Sequence, residues 1–252
     1  GGPAEPCASE TATVLCAFCE CRRLSGDSTW DDVIRRLGNF LLLLQREDGS
    51  FGSDEQPTDA QAPSGRRGVE ARTQAEAALA LALAYETAGE PRFLPGARKA
   101  LDSLSGNQQA LGQAEVAASF ITAVGKLAAL LPWESYAPAV RRAAEAVAQR
   151  QLSPQDAPAP DLAGGTLRAF PPALDQTAAG LQALAGAWLL SQSQQEGELA
   201  QARSTLRQAS LNAARYIVQL QFLPENSYYL ADPGPALGGF RRQPGSNTVT
   251  LE

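Results

Sequence analysis

Apolar positions recur along this chain every three or four residues over long stretches and rarely alternate singly, which is the spacing of helices rather than strands. Between Thr29 and Arg46, Val33, Ile34, Leu37, Phe40, Leu41 and Leu44 fall at helical spacing, with Arg35, Arg36 and Asn39 on the other side. The segment before it, Ala8 to Leu24, opens with Ser9 as a candidate N-cap and is apolar almost all round, which predicts a helix buried on several sides. Ser25-Gly26-Asp27 separates the two. The pairing recurs at Val69 to Thr87 with a helix through Leu104, at Gln113 to Leu131 with Tyr136 to Leu152 after a turn at Pro132-Trp133, and at Asp175 to Gln192 with Leu199 to Phe222. The pattern predicts one all-α domain over 1–252 built from hairpins at about 8–46, 69–104, 113–152 and 175–222, with a tail over 223–252 leading toward a further helix. In each pair the first helix is richer in alanine and the second is more amphipathic and carries arginines, as in an inner row of helices wrapped by an outer one.

The connections are unequal. Turns inside a pair are short, whereas Glu47 to Gly68, Ser153 to Ala173 and the segment after Leu223 run to roughly 20 residues, a length that compact domains reserve for functional loops. In alternating hairpins all three emerge at the starts of the first helices, so that rim is the expected site.

The long loops share wording. Arg36-Leu37-Gly38, Leu41, Gln45 and Gly49-Ser50-Phe51 resemble the QW repeat of the squalene-cyclase and protein-prenyltransferase superfamily, with Phe51 where tryptophan is usual. Gln151 with Gly164-Gly165-Thr166-Leu167-Arg168-Ala169-Phe170, and Gln221 with Gly238-Gly239-Phe240-Arg241-Arg242, are looser echoes with longer spacers. The resemblance implies an α/α toroid, a barrel of helical hairpins, here incomplete or open because four hairpins are fewer than a full ring holds. Self-association that closes the ring is one expected consequence. In such a motif the glutamine ending a second helix is expected to hydrogen-bond the backbone at the next first helix, while the glycines turn the chain under an aromatic plug.

The superfamily's chemistry is harder to place. The Asp-rich DxDD motif of the protonating cyclases is absent, and Asp31-Asp32 lies on the wrong helix. Prenyltransferase zinc sites need histidine, and the chain has none. Six-hairpin glycosidase-like enzymes share the architecture, but the absence of histidine sets aside their histidine-dependent members, along with every Ser-His or Cys-His nucleophile. Carboxylates, tyrosine, lysine and cysteine remain.

Acidic residues stand near the start of each first helix: Glu10, Glu70 with Glu76, Glu115 and Asp175. Carboxylates converging there suit general acid and base work on a glycosidic bond, although acids in a first turn are also favoured by the helix dipole and by capping. Asp175 and Glu115 are the catalytic candidates. Arg168, Phe170, Tyr229, Phe240 and Arg241 are the substrate-binding candidates, since the planar fork of arginine matches carboxylate or phosphate; the plainer alternative is that the aromatics plug loop bases and the arginines pair with nearby acids. The leading expectation is a carboxylate-dependent carbohydrate-active enzyme of hydrolase or lyase type acting on a small molecule or glycan at the rim, with no metal and no cofactor. A non-catalytic binding or interaction module and a terpenoid-cyclase-like protein without the DxDD motif stand as alternatives. Only 6% of residues are aromatic, which argues against both a broad sugar-stacking platform and a cation-guiding terpene cavity.

A net charge of −6, with only Lys99 and Lys126 as lysines and no basic run, makes nucleic acid a poor partner. No apolar run approaches the length of about 18 residues that a bilayer span needs. Cys16, Cys19 and Cys21, with Cys7 upstream, suggest a metal or a disulfide only superficially. On a helix Cys16 and Cys19 share a face while Cys21 points elsewhere, so core packing is the expected role, and free thiols lean toward a reducing, cytoplasmic compartment. The chain opens Gly1-Gly2 and lacks methionine, so truncated ends are expected and no signal peptide can be read.

Overall fold

A computed structural model of the chain describes residues 7–51, 64–193, 198–227, 230, 234–244 and 249–250. Much of the loop at 47–68, and Tyr229, lie outside them. The protein is all-helical, with ten α-helices among the described residues. They are α1 (Ala8–Ser25), α2 (Trp30–Leu44), α3 (Ser64–Ala88), α4 (Phe93–Ser105), α5 (Gln108–Leu111), α6 (Ala114–Lys126), α7 (Trp133–Gln149), α8 (Leu174–Gln192), α9 (Glu198–Gln201) and α10 (Arg203–Gln219). The only strands among those residues are the two-residue pair β1 (Phe240–Arg241) and β2 (Val249–Thr250), which run antiparallel. No helix is long and apolar enough to cross a membrane among the described residues.

The expected helices are present with shifted ends. The helix expected through Leu131 stops at Lys126, and Trp133 starts α7 instead of serving as a turn residue. The helix expected over Leu199 to Phe222 is broken at Ala202 between α9 and α10.

The chain divides into two compact units, Gly1–Gly112 with Ser119–Val140 and Gln113–Ala118 with Arg141–Glu252. In the first, α3 packs on α1, α2 and α4. Ala75, Ala77, Ala78, Ala80, Leu81, Ala82 and Ala84 are all buried, so an alanine-rich helix is enclosed on several sides by close neighbours, as expected of an inner helix. Helix α1 departs from that expectation. Its buried stripe is Ala8, Ala12, Leu15 and Cys19, while Val14, Ala17, Cys21 and Leu24 on the opposite side are exposed. In the second unit α10 packs along α8 over a cluster of Leu174, Tyr216 and Leu220.

The α1 thiols follow this burial. Burial first, then neighbouring negative charge, pushes Cys16 up to about 12; burial also pushes Cys19 up to about 11, against a hydrogen bond with Thr87 that lowers it. Cys7 and Cys21 are exposed, and all four are free. Because the thiolate is the reactive species, an aromatic disulfide reagent at pH 8 is expected to modify Cys7 and Cys21 in the native protein and the other two only after unfolding. Four equally fast thiols would contradict this packing.

Candidate functional site

Three turns repeat one hydrogen-bond pattern. After Gln45, Arg46 N–H donates to Ser50 O (2.9 Å) and Gly49 N–H donates back to Arg46 O (3.0 Å). After Gln151, Leu152 N–H donates to Gly165 O (2.9 Å) and Gly164 N–H to Leu152 O (2.8 Å). After Gln221, Phe222 N–H donates to Gly239 O (2.8 Å) and Gly238 N–H to Phe222 O (2.9 Å). Bridges pair the three glutamines with Phe51, Thr166 and Phe240 respectively. Gly49, Gly164 and Gly238 are thus equivalent, and each holds a positive φ, 84°, 93° and 86°.

The glutamines reach a different neighbour from the one expected. Gln45 Nε2 donates to Gly96 O on α4 (2.8 Å) and Gln151 Nε2 to Ala209 O on α10 (2.9 Å), so the brace runs from one second helix to the next second helix, not to a first helix. The turn glycine lies against the same helix three residues on. A side-chain carbon added at Gly49 would stand 2.4 Å from Lys99 O, and one at Gly164 2.2 Å from Asn212 O.

This register places the candidate arginines. Leu167 N–H donates to Arg150 O (2.9 Å) and Arg241 N–H to Leu220 O (2.8 Å), so Leu167 corresponds to Arg241 and Arg168 to Arg242. Arg168 and Arg242 line one pocket of about 590 Å³ in the second unit, together with Phe170, Asp175, Gln176 and Gln243. Its walls are fixed from behind. Leu174 N–H, at the start of α8, donates to Arg242 O (2.8 Å); Thr177 Oγ1 accepts from Thr166 N–H (3.0 Å); and the buried Tyr216 hydroxyl donates to Pro172 O.

Within the pocket Phe170 is 62% exposed, an apolar surface beside two cationic forks. Among the described residues no side chain pairs with Arg242 or with Asp175, which is exposed in the first turn of α8. Glu115 is engaged behind the wall, where Gln176 Nε2 donates to its Oε1 (2.5 Å) and Arg168 Nη1 stands 3.7 Å away. That ion pair is weak, since the Arg168 side chain is 74% exposed and water screens it.

The other candidates lie elsewhere or serve the scaffold. Arg241 Nη2 donates to Asn226 O (2.9 Å), and its guanidinium sits 4.8 Å over the Phe222 ring, inside the third turn. Phe240 packs against the Leu174, Tyr216 and Leu220 cluster. Glu76 accepts from Ser9 Oγ (2.7 Å) and Arg72 Nε (2.7 Å), while Glu10 and Glu70 are exposed. Among the described residues no group of three or more Cys, Asp or Glu side chains is arranged to hold a metal. Gln176 and Gln243 are pocket residues that the loop wording did not single out, and Arg242, which stands in that wording, lines the pocket where Arg241 does not. Aligning Gly164-Gly165 with Gly238-Gly239 identifies Arg242, since each arginine stands three residues after its glycine pair. Compared with protein families, curated proteins and solved structures, the chain matches none.

Proposed function

We propose that this chain is a binding module for a small saccharide or polyhydroxy ligand that carries a carboxylate, on a scaffold of hairpins arranged as an arc of an α/α toroid. The observation that carries the reading is the convergence of Arg168 and Arg242, equivalent residues of two successive turns, on one pocket beside Phe170. Two guanidinium forks match a carboxylate in geometry as well as charge. The phenyl face suits the apolar side of a sugar ring, and Gln176, Gln243 and Asp175 offer hydroxyl partners.

The test is calorimetric titration with trigalacturonate and its methyl ester, which keeps the sugar frame and removes the charge. Charge-assisted hydrogen bonds are worth about 1.5–3 kcal/mol, so the ester and the Arg242→Ala variant are each expected to bind at least about tenfold more weakly than the acid does to the native chain. Equal affinity for acid and ester, or an Arg242→Ala variant that binds normally, would remove the reading. A hydrolase or lyase is the second reading, favoured by the open Asp175 carboxylate. A glycosidic acid and base need two accessible carboxyls flanking one bond, and Glu115 is held by Gln176 behind Arg168. Reducing ends released by the native chain and not by Asp175→Asn would decide for the enzyme.

A further inference from the structure

Among the described residues, two of the three equivalent turns are covered by a helix and the third is bare. Gln45 and Gly49 grip α4 at Gly96 and Lys99, and Gln151 and Gly164 grip α10 at Ala209 and Asn212, with the same three-residue step in each seat. At the third turn, among the described residues, Gln221 Nε2 reaches only its own loop, at Gly238 O (3.3 Å), and a side-chain carbon added at Gly238 meets nothing within 4 Å. Val218, three residues before Gln221, is 59% exposed. Its counterpart Leu42, three residues before Gln45, packs so tightly on α4 that an added carbon at Gly96 would stand 2.3 Å from its Cδ2. Leu211, Ala214 and Val218 on α10, continued by Gln221 just after it, thus form a stripe made to hold a following helix.

The complementary half is on α2. In the second seat the gripped residue, Ala209, lies twelve positions before the turn glutamine that follows its own helix, Gln221; twelve before Gln45 is Val33. Counting on from Val33 at helical spacing gives Arg36, Phe40 and Leu43, opposite the Gly38 and Leu42 that meet α4. Leu43 is 82% exposed. Arg36 stands where Lys99 and Asn212 stand, and Phe40 where Tyr216 meets Pro172 of the loop before α8. Large exposed apolar side chains occur on α1, α2, α8 and α10, and on none of α3, α4, α6 or α7 among the described residues. Each chain therefore carries one unfilled grip, and of the two second helices that no turn grips among the described residues, α2 and α7, α2 is the one with a large exposed apolar side chain.

We infer that a second copy of this chain docks head to tail, its α2 seated on the third turn and α10 of the first, with Gln221 donating to Val33 O and Gly238 lying against Arg36 O of that copy. The contact is heterologous, so copies add in one direction, either closing into a ring or extending.

Sedimentation velocity on the native chain and on two surface variants, Val218→Arg and Leu43→Arg, tests this, with unchanged helical circular dichroism as the folding control. The native chain is expected to associate as its concentration rises to about 300 µM, and each variant alone to associate at least about tenfold more weakly. An equimolar mixture of the two variants retains one intact pair of faces, so it is expected to form a one-to-one dimer and stop. Closed rings and open chains of native protein both support the inference. A native chain that stays monomeric, a mixture that forms no dimer, or a single face whose substitution has no effect overturns it.

Discussion

Substituting Gly164 by alanine is expected to destabilise the second unit by about 3–4 kcal/mol, whereas the same change at Gly238 is expected to cost about 1–2 kcal/mol. Both glycines hold a positive φ, 93° and 86°, so both substitutions incur the left-handed penalty of about 1–2 kcal/mol. Only at Gly164 does the new carbon also meet backbone, 2.2 Å from Asn212 O and 2.6 Å from its carbonyl carbon. A backbone carbonyl inside a packed helix cannot rotate aside as a flexible side chain can, so the overpacking cost of about 1–3 kcal/mol falls toward its upper end. Urea unfolding followed through Trp188 on α8, in a background with Trp30 and Trp133 replaced by phenylalanine, reads the second unit. Equal midpoints for the two alanine variants would show that α10 does not press on the second turn. Gly238→Ala has a further use: milder for the isolated chain than Gly164→Ala, it is expected also to weaken head-to-tail association, because there the added carbon meets the seated helix.

The helices were legible in the sequence because each carries its burial pattern within itself. Val33 to Leu44 announces one apolar face at helical spacing, and α2 forms there with Ile34, Gly38 and Leu41 buried. Burial of a first helix depends instead on neighbours outside its own sequence. Ala8 to Leu24 and Ser64 to Ala88 are similarly rich in small apolar residues, yet α3 is enclosed while α1 leaves Val14, Ala17, Cys21 and Leu24 exposed. The pocket was half legible for a related reason. Arg168, Phe170 and Asp175 line it; the first two stand out in the loop wording and Asp175 as an acid at the start of its helix. Their partner across the pocket is Arg242, not Arg241, because the turn fixes which residue of the Arg241-Arg242 pair follows the bridge. Local hydrogen bonds set that register, and loops of different length conceal it until the glycine pairs are superposed.

Above pH 10 stability is expected to fall steeply, through two buried tyrosines. Burial pushes the hydroxyls of Tyr136 and Tyr216 well above the ordinary tyrosine value of 10.0; the hydrogen bond from Tyr136 to Asp102 and the negative charge of Asp161 near Tyr216 add to it. The folded chain therefore keeps both protons where the unfolded chain releases them. This contribution is fully present below the unfolded value and is lost as pH rises toward the raised folded one, at about 1.4 kcal/mol per pH unit for each tyrosine. Tyr216→Phe is expected to cost about 1–3 kcal/mol at pH 8, since it leaves the Pro172 carbonyl without its donor, and also to flatten the alkaline slope of the second unit. Tyr136→Phe acts likewise on the first unit, with a smaller loss at pH 8 because Asp102 is half-exposed and water can take the hydroxyl's place. Urea midpoints at pH 8, 10 and 11 check this, and a Tyr216→Phe slope equal to the native one would contradict it. Pro172 lies between pocket residues Pro171 and Ala173, so ionisation of Tyr216 also frees the wall that carries Phe170 and Arg168. Carboxylate binding at the pocket is accordingly expected to disappear over the same alkaline range as the Trp188 transition, while both arginines are still charged.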